Sequence, residues 1–253
     1  MSEKVDKTAT PVSSSHRHAA KSAESFHARI RAHIERHLGP VTNVFRGPVG
    51  DAASIESNDD TASIGPIDDA ASIDVQYVAS TKTRPIQTLI TAGVSDLPMP
   101  VPANAESPRY LELMMTLPES WKLDDQSAAQ VEWAWPIRQL RSVALYPRKF
   151  STWLDWGRIV PNGDPPEALA PNTKLCGAII VPSLLVPTDF YELNAGAKTI
   201  AFYSVVPLYR EEMQLKARDG MGPLLEKMVD HGITDLIDPK RRNVAVKRRF
   251  GLF

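Results

Sequence analysis

The stretch RYLELMMTLPESW, residues 109–121, decides the fold, because its run Tyr110 to Leu117 is apolar on both alternating faces apart from Glu112 and Thr116. Side chains of a strand point alternately to opposite sides, so a segment apolar on both sides needs cover above and below and neighbours left and right. Residues 110–117 are therefore expected inside a sheet, ended by Pro118, which has no N–H to give to a ladder. Just upstream, TLITAGVSDLPM (88–99) opens on a second strand over 86–92. Ile73, Val75 and Tyr77 alternate with polar residues as a third, and the break at Lys82 to Pro85 joins these two as an antiparallel hairpin. Residues 175–181 and 199–206 add two more apolar runs. Strands and helices follow in mixed order, which predicts an α+β fold: a mixed, largely antiparallel twisted sheet of at least five strands covered by helices.

The helices carry their own punctuation. Phe26, Ile30, Ile34 and Leu38 recur every fourth residue over a helix in 19–40, stopped at Gly39-Pro40. Pro136 is placed to open a helix, where its missing N–H is not needed, and Pro147 is expected to end it by forcing Tyr146 out of helical geometry. After Pro207 a helix runs to about Arg218, and Pro223 opens another behind Gly220 and Gly222. Residues 1–18 have almost nothing to bury and read as a disordered arm. Residues 41–71 read as loop-rich, with DAASI at 51–55 and again at 69–73, too short a unit for a solenoid. Residues 72–244 form the expected core domain, and 245–253 a basic tail, continuing from Lys240, Arg241 and Arg242 as a solvated end.

Composition removes several classes of function. The 253 residues carry 29 basic and 30 acidic side chains, net charge −1, so no overall field draws the chain to nucleic acid or to an acidic membrane. A single cysteine, Cys176, excludes an intramolecular disulfide and a cysteine zinc cage, and suits a reducing, cytoplasmic setting. The sequence holds no apolar run near the ~20 residues that span a bilayer, and the start has no secretory pattern.

Motifs that invite a chemical reading each fail a geometric requirement. In His33-Ile-Glu-Arg-His37 the glutamate comes two residues after the first histidine, about 200° around a helix, where a zinc protease needs it adjacent. These histidines are expected on a solvated helical face, with no metal site. Gly93-Val94-Ser95-Asp96-Leu97 begins like a nucleophile elbow, but Leu97 stands where a second small residue must let the backbone turn. Only His231 lies beyond the first helix to serve such a serine. Gly220-Met221-Gly222 lacks the rest of a phosphate-binding loop. No catalytic residue and no cofactor are assigned. Five tryptophans, by contrast, fall within 121–156. Most are expected to pack around one helix, each indole N–H finding a partner. Trp153 and Trp156, flanked by Asp155 and Arg158, are the ones expected at the surface, where tryptophan anchors protein interfaces.

Three segments in this order, 88–99, 109–121 and FYSVVPLYREEMQLKARDGMGPLLEKM (202–228), with AWPIRQLRSVALY (134–146) between them, resemble the suppressor-of-fused family. The similarity runs over 72–244, and TWLDWGRIV (152–160) resembles the segment where relatives carry Gly-His or Gly-Asp-His. The resemblance implies a protein that binds other proteins without catalysis. Animal members hold a transcription-factor segment as an added strand in a cleft, and bacterial relatives encoded beside polymorphic toxins are thought to be immunity proteins. For this chain it implies an immunity protein that masks a toxin domain, with a regulator sequestering a transcription factor, or a hydrolase using Ser95 or cleft acids, as rivals. It implies a toxin domain or regulatory peptide as partner, with strand addition as one mode of capture. Tyr146 and the Gly157-Arg158 corner match positions flanking the cleft in animal relatives. Arg158 stands where an acid or histidine is usual there, which points to an acidic feature on the partner.

Overall fold

The computed structural model describes residues 14–46, 73–124 and 130–246, with side chains from Phe26 onward. Most of the N-terminal arm, the DAASI duplication with most of the loop-rich segment, and the tail from Lys247 lie outside the described residues. In chain order the first half contains α1 (Ser14–His37), β1 (Val41–Phe45), β2 (Asp74–Val78), β3 (Ile86–Ala92), β4 (Leu111–Pro118) and α2 (Val131–Lys149). The second half adds β5 (Ile159–Pro161), β6 (Gly177–Val181), β7 (Glu192–Asn194), β8 (Thr199–Leu208), α3 (Arg210–Asp219) and α4 (Met221–Asp230).

The expected interior strand, β4, lies at the centre of a mixed sheet of order β1-β2-β3-β4-β8-β6-β5, with β7 beside the first part of β8. It pairs antiparallel with β3, Leu89 opposite Met115, and parallel with β8, Leu113 opposite Tyr203. Its alternation builds two cores. Leu111, Leu113, Met115 and Leu117 pack with Val75, Leu89 and the α2 residues Leu140 and Val143. Met114, on the opposite face, meets Ile30 and Ile34 of α1, Ile90 and Phe202. A third cluster joins Ile179, Val206 and Leu208 to Met213, Leu224 and Met228 of α3 and α4. The stripe Ile30, Ile34 and Leu38 is fully or nearly fully buried, worth about 2 kcal/mol per side chain in apolar surface withdrawn from water. The first helix is thus part of the packed body.

Several expectations are corrected. Helix α2 begins five residues before Pro136 and contains both Pro136 and Pro147. The ring of Pro136 leaves the carbonyl of Glu132 without its usual i+4 donor, and Asn172 Nδ2 supplies one from a distant loop at 3.1 Å. Pro147 lies so near the helix end that few further bonds depend on it, and Phe150 N–H still reaches Tyr146 O at 3.1 Å. A strand, β1, occupies the start of the segment read as loop, paired to β2. His33 is not solvated: it is 8 % exposed, stacked on Phe190 and Phe202, with Nε2 3.0 Å from Phe190 O. That face of α1 must be sealed where it crosses the sheet, and an imidazole with one satisfied nitrogen fills the gap at low cost. Arg241 is no solvated tail residue either. It grips the fully buried Glu212, Nη1 to Oε1 at 2.7 Å, and donates to Pro207 O at 2.8 Å. Trp121 donates its indole N–H to Trp133 O at 3.0 Å, but that of the buried Trp135 has no partner among the described residues.

Every free edge of the sheet among the described residues is short. Strand β1 changes register between Val41 and Asn43, and Asn43 Oδ1 takes the Val44 N–H at 2.8 Å. Strand β5 has three residues and ends on Pro161, and β7 also has three. A slipped register, a proline and short length all discourage pairing with a further strand.

Candidate functional site

Two glycine turns hold the residues of chemical interest. In the first, Gly93 at φ +124° turns the chain out of β3 into a short 3₁₀ turn, Val94–Asp96. A side chain at that φ would be strained. The turn closes over Glu112 of β4, which is fully buried and whose carboxylate is surrounded by donors. Oε1 accepts from Gly93 N at 3.1 Å, Ser95 N at 3.0 Å and Ser95 Oγ at 2.7 Å, and Oε2 from Thr91 Oγ1 at 2.6 Å. Burial pushes the Glu112 carboxyl above its ordinary range, and these four donors pull part of the way back. The Ser95 hydroxyl is sealed from solvent and committed to that carboxylate. His231 is exposed at the end of α4, with Nδ1 on Lys227 O. Ser95 therefore has neither the access nor the histidine that a nucleophile needs.

The outer side of this turn is where the first helix is fastened. His27 Nε2 lies 3.1 Å from Asp96 Oδ2, and this hydrogen bond raises the imidazole pKa against the opposing effect of burial. Lys198 Nζ donates to Ser95 O at 2.5 Å while lying 3.9 Å above the Phe26 ring; burial lowers its pKa, Asp96 and Glu112 raising it in part. Glu112, His27 and Lys198 were missed from the sequence. The only signal was the lone carboxylate within the apolar run of β4.

The second turn follows α2. Ser151, at φ +47°, ends the helix, and Leu154 is buried with its N–H 3.3 Å from Met99 Sδ. Residues 155–158 form a β-turn in which Arg158 N–H reaches Asp155 O at 2.9 Å. Gly157 stands at its third position with φ +79°, the left-handed conformation that a type II turn requires there. The turn is pinned to β6 by Gly157 N–H to Ile180 O at 2.8 Å and Ile180 N–H to Arg158 O at 3.0 Å. Asp155 is held as well: Oδ2 accepts from Ser107 Oγ at 2.5 Å and Oδ1 from Trp156 N at 2.6 Å.

This geometry determines what each predicted residue offers. Trp156, at the tip of the turn, is 56 % exposed. Trp153 is half-buried, its ring 5.3 Å beneath the Arg158 guanidinium. Arg158 donates Nε to Trp153 O at 3.2 Å and Nη2 to Thr152 Oγ1 at 3.1 Å, and no carboxylate of the described residues pairs with it. Trp153, Asp155, Trp156 and Arg158 thus share one corner. Tyr146 stands apart on α2, half-buried, its ring tilted against that of the exposed Phe150 at 4.6 Å, without a hydrogen bond or ring contact to the other four. Among the described residues no cluster of histidine, cysteine or acidic side chains could hold a metal, and no helix is long and apolar enough to cross a membrane.

Comparison with solved structures finds a likeness to a suppressor-of-fused homologue from Neisseria gonorrhoeae, at TM-score 0.58 and 11% identity, covering 88% of this chain and 99% of that one. At that identity the likeness establishes the shared fold. The structure of the Sufu-Fu complex matches at TM-score 0.46 and 16% identity over 68% of this chain and 77% of that one. Drosophila Suppressor of Fused matches at TM-score 0.46 and 15% identity over 68% and 42%. A comparison with curated proteins gives no sequence match. The family model of the Suppressor of fused protein matches residues 69–242, from just before β2 to the Arg241 anchor. The chain belongs to the suppressor-of-fused family.

Proposed function

We propose that this protein works by binding another protein through the corner at 153–158, as a cytoplasmic immunity factor that masks a toxin. The observation that carries the reading is the corner itself. A tryptophan 56 % exposed at the tip of a braced turn stands beside an arginine with no carboxylate among the described residues. Aromatic and arginine side chains held in place beforehand supply much of the energy of protein interfaces, because little freedom is lost on docking. Family membership supports the same reading, since the resemblance implies binding in place of turnover. The burial of Ser95 weighs against the hydrolase rival. The short free edges favour docking by side chains over strand addition.

The test is co-purification with the product of a toxin-like neighbouring reading frame. Arg158→Glu is expected to weaken capture at least tenfold, while unfolding shifts by about 1 kcal/mol or less for a half-exposed side chain. Unchanged capture by a folded Arg158→Glu variant would remove the corner from the interface. Metabolic neighbours in place of a toxin-like frame would remove the immunity role.

A further inference from the structure

Beside the corner, a groove runs between the segment after the first glycine turn and the last turn of α2. Its lining is Val94, Leu97, Pro98, Met99, Pro100, Ala144, Pro147 and Arg148, around a cavity of about 100 Å³. Seven of these eight are apolar, and Leu97 is 56 % exposed. Three are prolines, which hold the walls rigid and bring no N–H that a ligand backbone would have to satisfy. Arg148 is the one charged group. Its only hydrogen bond to the described residues is a long one, Nη2 to Gly93 O at 3.3 Å, and no described carboxylate pairs with it.

The nearby acids are engaged elsewhere, Asp96 with His27 and Asp155 with Ser107 and the Trp156 N–H. Lys149, next along the helix, lies 5.5 Å over the exposed Phe150 ring and adds positive charge to the same end of α2. The groove thus combines an apolar floor with a cationic rim. We propose that it binds a protein segment in which an aliphatic side chain, inserted between Leu97 and Pro147, is followed by carboxylates that meet Arg148. This rests on the reading of the chain as a protein-binding module and gives that module a second anchor, distinct from the 153–158 corner.

Met99 lines the groove, so its methyl group reports occupancy. The full chain, labelled with methyl-13C methionine, is titrated by NMR with acetyl-Ala-Leu-Glu-Glu-amide. Two controls replace the glutamates by lysine or the leucine by alanine. A saturable shift of the Met99 methyl with the first peptide is expected, at least tenfold weaker with either control, and Arg148→Glu should transfer the preference to the lysine peptide. Leu97→Asp, a solvent-facing change, should abolish the shift with the fold intact. Equal responses to acidic and basic peptides, or no Met99 shift at millimolar peptide, would overturn the proposal. A silent Met99 together with lost capture by Arg158→Glu would discard the groove and leave the binding reading standing. A Met99 shift that meets these controls upholds the groove whatever the Arg158 result.

Discussion

The turn at Gly93–Asp96 and the turn at 155–158 use the same local parts and put them to opposite ends. Each has a glycine at positive φ and a hydroxyl or carboxylate braced by neighbours. Behind the first stands β4, which supplies Glu112, and four hydrogen bonds close the site against water. The second is pinned to β6 by its backbone alone, and Trp156 at its tip faces outward. A polar residue at a glycine turn therefore shows its role only once the strand behind it is known. Ser95, the more enzyme-like of the two in sequence, holds the fold together. Trp156 is the one left exposed.

The comparison breaks most readily at Glu112. Glu112→Ala leaves four buried donors, on Thr91, Gly93 and Ser95, facing an empty space, each costing about 1–3 kcal/mol. We expect a loss of about 4 kcal/mol in urea unfolding; a loss below ~1 kcal/mol would mean that water reaches the turn and that it is not sealed. Ser95→Ala removes one of the four bonds while keeping the backbone, for an expected loss of about 1–2 kcal/mol. If Ser95→Ala left stability unchanged and abolished an activity of the purified protein, the assignment of structural and functional turns would be reversed.

A subtler test lies in the helix fastened to the first turn, whose two inward histidines have pKa values shifted in opposite directions. His27 has its pKa raised above 6.5 by Asp96, so its contribution is complete below 6.5 and fades as pH rises through the raised folded value. His33 has its pKa lowered below 6.5 chiefly by burial, so its contribution is complete above 6.5 and fades as pH falls through the lowered folded value. NMR titration of the two imidazoles should place their midpoints on either side of 6.5, with Asp96→Asn returning only His27 toward it. Coincident midpoints would show that α1 is not docked on the turn as described.

How much of this was legible in sequence follows from the range of the interactions. The interior position of β4 could be read because a run apolar on both faces is written in adjacent residues, and the stripe of α1 because its four-residue spacing is too. The reach of α2 could not. Proline rules end a helix at Pro147 and begin it at Pro136, and the donor that Pro136 takes from Glu132 O is replaced by the Asn172 side chain, 40 residues away. The same holds for Arg241, whose partner Glu212 lies 29 residues away. It holds also for His33, which reads as solvated until Phe190 and Phe202 close over it. At the corner, residue type pointed to Trp153, Asp155, Trp156 and Arg158 together, since residues this close in sequence stay neighbours in space. Tyr146 was placed with them through the family resemblance, and the helix carries it to Phe150.

The smallest effect expected on stability is the one that separates the two turns best. Trp156→Ala removes a large side chain that makes no ring contact or side-chain hydrogen bond among the described residues and is 56 % exposed. Truncating an exposed side chain away from caps and cores changes stability within about 0.5 kcal/mol. The backbone of the turn keeps its own supports, because the bond from residue 156 to Asp155 Oδ1 uses the main-chain N–H. Urea unfolding should thus barely move, while capture of a partner falls tenfold or more if this indole is buried on docking. A loss near 2 kcal/mol without loss of capture would show Trp156 packed in the free protein, and the corner would then be as structural as the turn around Glu112.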